Sequence, residues 1–162
     1  MKFYTYKTKD TGKEELAIGC AFNEARLYPL SQFDMYFDDM TDLITRITPA
    51  ELQILELASQ KEEGIRFIPK GDVIACSPIT RPRQDVICLG INYMAHAEES
   101  ARYKKEAFGG DRPYPIYFAK RVNEAVADGG IVPAYENLVD SLDYEVELAV
   151  VIGKDAKNVS KE

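Results

Sequence analysis

The stretch Asp143-Tyr144-Glu145-Val146-Glu147-Leu148-Ala149-Val150-Val151-Ile152 constrains this chain more than any other. In an extended strand, successive side chains point to opposite faces. Tyr144, Val146, Leu148, Val150 and Ile152 then form one apolar face, and Glu145 and Glu147 share the other with Ala149 and Val151. The pattern predicts a strong strand from Asp143 to Ile152, closed by a turn at Gly153-Lys154-Asp155. Two carboxylates side by side on a mostly buried strand repel each other and lose hydration. A divalent cation removes both costs, and carboxylate oxygens suit Mg²⁺ and Mn²⁺. By spacing alone the same pair also fits a half-exposed edge strand with solvated glutamates.

The rest of the chain is read by the same periodicities. Residues 1 to 30 predict a small antiparallel β unit. Phe3, Tyr4 and Tyr6 open it, Lys9 to Lys13 turn, and Leu16 to Phe22 and Arg26 to Pro29 make two further strands. Met40, Leu43, Ile44 and Ile47 recur at helical spacing over Asp38 to Ile47. Thr48-Pro49-Ala50-Glu51 offers a capping box with proline at the first helical position. Leu52, Leu55 and Ala58 follow on one flank of that helix, and Gly64 is expected to end it. Phe67 to Pro69 and Val73 to Ile79 read as strand. The polar, proline-bearing segment Thr80 to Gln84 reads as a linker. The expected organisation is a small domain over residues 1–80 and a second domain over 81–162. In the second, Asp85 to Gly90 and Ile116 to Ala119 read as short strands, Tyr93 to about Lys105 as a helix capped by Asn92, and 121–143 as mixed loop and strand.

Composition excludes some functions. The 162 residues are 46% hydrophobic and 29% charged, as in an ordinary soluble domain, and the formal net charge is −7. A nucleic-acid or anionic-membrane surface calls for a basic stripe, and none is visible. Cys20, Cys76 and Cys88 are odd in number and form no CxxC pair, which predicts buried or reduced thiols rather than a disulfide framework or zinc site. No apolar leader opens the sequence and no apolar run reaches membrane-spanning length, so the expected compartment is cytoplasmic.

His96 is the only histidine. Glu99 follows it at the i, i+3 spacing, so on a helix both project from one face. A carboxylate on one ring nitrogen fixes the tautomer and raises the basicity of the other, which suits a general base. The same spacing also fits a surface histidine with an incidental ion pair. Lys120 ends the apolar run Ile116 to Ala119, where it can hold a substrate carboxylate or oxyanion, or simply solvate a strand end; Arg121 shares that ambiguity.

Taken in order, these segments carry a resemblance. Leu89-Gly90-Ile91-Asn92-Tyr93 with His96 and Glu99, Pro115-Ile116-Tyr117-Phe118-Ala119-Lys120, Ile131-Val132-Pro133, and Leu142-Asp143-Tyr144-Glu145-Val146-Glu147 through Gly153 resemble the fumarylacetoacetate hydrolase (FAH) family over about residues 85 to 162. Residues 1 to 84 correspond loosely to the variable N-terminal domain of its bacterial members. The resemblance implies an α+β fold, in which a small α/β domain precedes the start of a mixed β-roll. It implies that Glu145 and Glu147 are two of three acidic ligands to Mg²⁺ or Mn²⁺, that His96 and Glu99 are a water-activating dyad, and that Lys120 lies near a small-molecule 2-oxo acid substrate. The family's third acidic ligand falls beyond Glu162, so the site is expected to be incomplete here; Asp143, on the same face as Glu145 and Glu147, is a weak candidate to replace it. The implied activity is metal-dependent hydrolysis of carbon–carbon bonds in 2,4-dioxo acids, in a family-type homodimer. The alternatives are an isomerase of 2-hydroxy-dienoates or an oxaloacetate decarboxylase on the same scaffold, or a non-catalytic fragment or assembly module.

Overall fold

In the computed structural model, the described residues are 1–93 and 114–161. They form a mixed α/β structure with antiparallel sheets and few helices. The chain divides into two compact units, Met1–Thr80 with Ala125–Glu162, and Arg81–Glu124.

The first unit is built on β2. Strands β1 (Phe3–Thr8), β2 (Glu14–Gly19) and β3 (Arg26–Pro29) pair antiparallel in succession, as expected of residues 1 to 30. Gly12, at φ +67, makes the β1–β2 turn, donating its N–H to the Thr8 carbonyl at 2.9 Å. Between β2 and β3 the Asn23 side chain accepts from the Ala25 N–H at 3.1 Å, a local bond that favours a turn over a continued strand. Two short strands complete the sheet in the order β4-β3-β2-β1-β5, with β4 at Ile68–Pro69 and β5 at Val73–Ala75. Both are shorter than the sequence suggests. Short edges offer little backbone for pairing with another chain.

Both faces of β2 are covered. Leu16 and Ile18 point into a core with Tyr28, Leu30, Met40, Leu43 and Leu55, while Ala17 packs with Tyr6 and Leu27 on the other side. Gly19 lies against Tyr4, where an added Cβ would meet the ring at 2.8 Å. The first core is roofed by helices α1 (Met40–Arg46) and α2 (Pro49–Ser59). Asp39 caps α1 by accepting from the Asp42 N–H at 2.7 Å, and Asp42 pairs with Arg46 one turn later. The capping box of α2 is complete: the Thr48 N–H donates to Glu51 Oε2 at 2.8 Å, and Thr48 Oγ1 accepts from the Glu51 N–H at 3.3 Å. Leu55 and Ala58 are buried, but Leu52 of the expected flank is exposed. The helix also stops earlier than expected, with Gln60 as its C-cap; Gly64, at φ +75, serves the turn that follows. The Tyr28 hydroxyl donates to the Lys61 carbonyl at 2.6 Å, and the Ala21 N–H donates to the Ser59 carbonyl at 2.8 Å. The end of α2 is thereby fastened to β3 and the β2–β3 loop.

The described part of the second unit is an antiparallel ribbon. β6 (Val86–Gly90) pairs with β7 (Ile116–Lys120) from Val86↔Lys120 to Gly90↔Ile116. The helix expected from Tyr93 to about Lys105 lies outside the described residues.

The strand expected from Asp143 to Ile152 is not formed. The segment belongs to neither sheet, and its apolar face, Tyr144, Val146, Leu148, Val150 and Ile152, is 73% to 89% exposed. Alternation sets which side chains would share a face; it supplies neither a neighbouring strand nor a covering layer. Residues 121–143 likewise carry bends and turns and no strand.

Candidate functional site

Two local structures hold the described candidate residues. The first is the β6–β7 ribbon. Lys120 is the last residue of β7, opposite Val86, with its Nζ 5.7 Å from the ring centre of Phe118, its i−2 neighbour on the same face. The lysine thus lies across an aromatic ring at an exposed strand end, where its ammonium can meet an anion. Arg121 next to it faces Asp85, Nε to Oδ1 at 3.8 Å, and Arg81 faces Glu124 at 3.5 Å. Arg121 is thus matched to a carboxylate at the base of β6.

The ribbon leaves β6 through a backbone feature that sequence reasoning missed. Ile91 has φ +49. A β-branched residue in the left-handed region is a true outlier, costing about 1–2 kcal/mol. It falls between Gly90 and Asn92, within the motif leading to His96. No residue signal could have found it, because isoleucine is disfavoured in that conformation.

The second structure is the segment 143–152. Glu145 and Glu147 are both exposed there. Asp143 directs Oδ1 to the N–H of Tyr144 at 3.0 Å, a local turn bond. Among the described residues no group of three His, Cys, Asp or Glu side chains is placed to hold a metal ion. The carboxylate chemistry suits Mg²⁺ or Mn²⁺, but two exposed donors are too few to close a site around a resident cation. The described residues therefore do not fit a closed metal site. Lys120 belongs to the unit Arg81–Glu124, and Glu145 and Glu147 belong to the other. His96 and Glu99 lie outside the described residues.

Elsewhere, a groove of about 440 Å³ opens beside β2, lined in part by Leu16, Leu30, Met35 and Tyr36 with Glu14 and Glu15 at its rim. Its acids already serve the fold: Glu15 accepts from the Tyr6 hydroxyl at 2.8 Å and Glu14 faces Lys7 at 3.3 Å. Burial and the bond to Glu15 push the Tyr6 hydroxyl well above the usual tyrosine range. The three cysteines carry free thiols. Among the described residues, no helix is long and apolar enough to cross a membrane.

Comparison with known proteins bears on the ribbon and the acidic segment together. Residues 85–162 match the family model described as fumarylacetoacetate (FAA) hydrolase C-terminal. An oxaloacetate tautomerase of Bacillus subtilis is 42% identical over 87 residues, which cover 53% of this chain and 27% of that protein. A mitochondrial oxaloacetate tautomerase of Rattus norvegicus is 36% identical over 99 residues, 57% of this chain and 27% of its own. An uncharacterized protein of Staphylococcus haemolyticus is 26% identical over 156 residues, covering 96% of this chain and 48% of its own. The chain thus spans only about a quarter of the two tautomerases and about half of the staphylococcal protein. No solved structure matches the chain.

Proposed function

Because residues 85–162 belong to the fumarylacetoacetate hydrolase family, we propose that the protein carrying them interconverts the enol and keto forms of oxaloacetate or a close 2-oxo acid. The observation that carries this reading is the 42% identity to a relative named oxaloacetate tautomerase. It favours an isomerase-type outcome over hydrolysis of 2,4-dioxo acids.

The chemistry needs little machinery. Ketonisation removes a proton from the C2 hydroxyl of the enol and adds one at C3; no water is consumed and no carbon–carbon bond breaks. The groups required are an anchor for a carboxylate and a base that can return as an acid. Lys120 is the proposed anchor, because it sits at the exposed end of β7 beside Phe118. His96, oriented by Glu99, is the proposed proton carrier. An imidazole is suited to the task because its ordinary pKa lies near neutrality. In this reading β6 and β7 open the family's β-roll, and Mg²⁺ or Mn²⁺ is the cation toward which Glu145 and Glu147 would contribute. The proton transfer itself is assigned to the chain's own groups.

Hydrolysis remains the second reading, favoured by the same His96–Glu99 spacing, which equally suits activation of water. One assay separates the two. Decay of the ultraviolet absorbance of enol-oxaloacetate reports ketonisation, and pyruvate release from an acylpyruvate reports cleavage. The proposal expects the first to exceed the buffer rate and the second not to. It also expects His96→Ala to reduce ketonisation by about 10²-fold or more. Acylpyruvate cleavage without accelerated ketonisation would make the hydrolase reading the correct one.

A further inference from the structure

The antiparallel register of β6 and β7 puts Val86 opposite Lys120 and Cys88 opposite Phe118. Residues directly opposite share a face, as do residues two apart on one strand. Val86, Cys88, Phe118 and Lys120 therefore lie on one face of the ribbon, and Ile87, Tyr117 and Ala119 on the other. Residues two apart stand about 6.5–7 Å from each other along a strand, within reach of a lysine stem. The Lys120 stem leans back along β7, so that Nζ comes to 5.7 Å from the centre of the Phe118 ring. That lies within the range over which the negative face of a ring attracts a cation.

The ring keeps surface for a ligand as well. Phe118 is 42% exposed, and across the ribbon Cys88 turns its Sγ along β6 toward the Val86 carbonyl at 3.9 Å. A lysine side chain has much rotamer freedom, and ordering it on a ligand costs free energy. A ring that already holds the ammonium lowers that cost, and it offers apolar surface to the carbon chain of an anion whose carboxylate reaches Nζ. We infer that Phe118 is a positioning residue: its ring holds the Lys120 ammonium over this face of the ribbon, where it receives the carboxylate of a small 2-oxo acid. The inference rests on Lys120 as the anchor of the functional reading and adds the residue that aims it.

The test reads the lysine directly. The 162-residue chain is methylated with isotope-labelled formaldehyde and a reductant, which keeps every lysine cationic. The Lys120 methyl signal in the nuclear magnetic resonance spectrum is identified by its loss in Lys120→Arg. The ring current of Phe118 should shift that signal in the parent and in Phe118→Tyr, and the shift should vanish in Phe118→Leu. Titration with malonate should move the same signal saturably. Binding should be about two- to fivefold weaker in Phe118→Leu, while Phe118→Tyr, which keeps the ring, should bind as the parent does. In the ketonisation assay, Phe118→Leu should raise KM by the same factor and leave kcat within about twofold. Circular dichroism checks folding, and Phe118→Met replaces Phe118→Leu if the latter does not fold. An unshifted Lys120 signal in the parent, no saturable malonate binding, or equal binding by the parent and Phe118→Leu overturns the inference. So does a loss in Phe118→Tyr as large as in Phe118→Leu, which would assign the effect to packing, or a fall in kcat at unchanged KM. The malonate titration needs no turnover, so failure of the ketonisation assay alone would remove the functional reading and leave this one standing.

Discussion

Strand β2 and the segment 143–152 carry the same kind of pattern and meet different fates. In β2, Leu16 and Ile18 point one way and Ala17 the other, and all three are buried. In 143–152, Tyr144, Val146, Leu148, Val150 and Ile152 alternate with Glu145, Glu147, Ala149 and Val151, and the apolar set faces solvent. The difference is company. β2 has β1 on one side and β3 on the other, and two helices contribute to the core on one of its faces. The later segment belongs to neither sheet. Burying a leucine or valine is worth about 1.5–3 kcal/mol. β2 collects that energy; the richer apolar pattern of 143–152 does not. A hydrophobic pattern is thus a capacity for burial, realised only where other elements reach it.

The sharpest way to break this comparison is to truncate one apolar side chain in the core that β2 shares and one in the exposed segment. Leu55→Ala removes a fully buried side chain from the core beneath α2 and is expected to cost about 2–5 kcal/mol. Val146→Ala, in the exposed segment, is expected to stay within about 0.5 kcal/mol. Urea unfolding of both variants measures the contrast. Equal losses would mean that the segment is covered in solution. Amide exchange gives the same contrast without mutation, with slow exchange across β2 and fast exchange across 143–152.

How much was legible follows the same division. The capping box at Thr48 and Glu51, the helix α1 within Asp38 to Ile47, and strands β3, β6 and β7 were readable because their determinants lie within a few residues. The closing of the first sheet by β4 and β5 was not. Tyr6↔Ala75 and Leu27↔Ile68 are pairings across dozens of residues, and periodicity says nothing about partners. The candidate site divides likewise. The residue types and order of Lys120, Glu145 and Glu147 marked a family, but convergence of side chains on one point is long-range, and the described residues do not bring it about.

A smaller effect is expected at the joint between α2 and the sheet. The Tyr28 hydroxyl is buried and donates to the Lys61 carbonyl, so Tyr28→Phe should cost about 1–2 kcal/mol. The same group sets an alkaline limit. Burial, reinforced by Cys20, pushes Tyr28 from 10.0 up to about 12. Because the folded value is the higher, the associated stability is fully present below pH 10.0 and is lost as pH rises toward and through about 12. Thermal unfolding between those limits should fall more steeply in the parent than in Tyr28→Phe. Parallel curves would place the alkaline loss elsewhere, with Tyr6 the next candidate.

The finest comparison is between carboxylates. Glu51 accepts from both the Thr48 N–H and the Thr48 hydroxyl, at 2.8 and 2.7 Å, and those bonds hold its carboxyl below the ordinary 4.5. Thr48→Ala, which deletes one half of the capping box, is expected to cost about 1 kcal/mol. Glu51→Gln keeps an acceptor but removes the charge at the helix N-terminus, so its effect at neutral pH should be smaller. The folded value of Glu51 is the lower one, so the charge contributes stability above pH 4.5 that is lost as pH falls through the folded value. The gap between the parent and Glu51→Gln should therefore close on acidification, while Glu147→Gln, in the exposed segment, should stay within about 0.5 kcal/mol of the parent at neutral pH. A Glu147→Gln loss as large as that of Glu51→Gln would show that the segment holds its acid in a fixed bond, and the contrast between the two regions would fail at that residue.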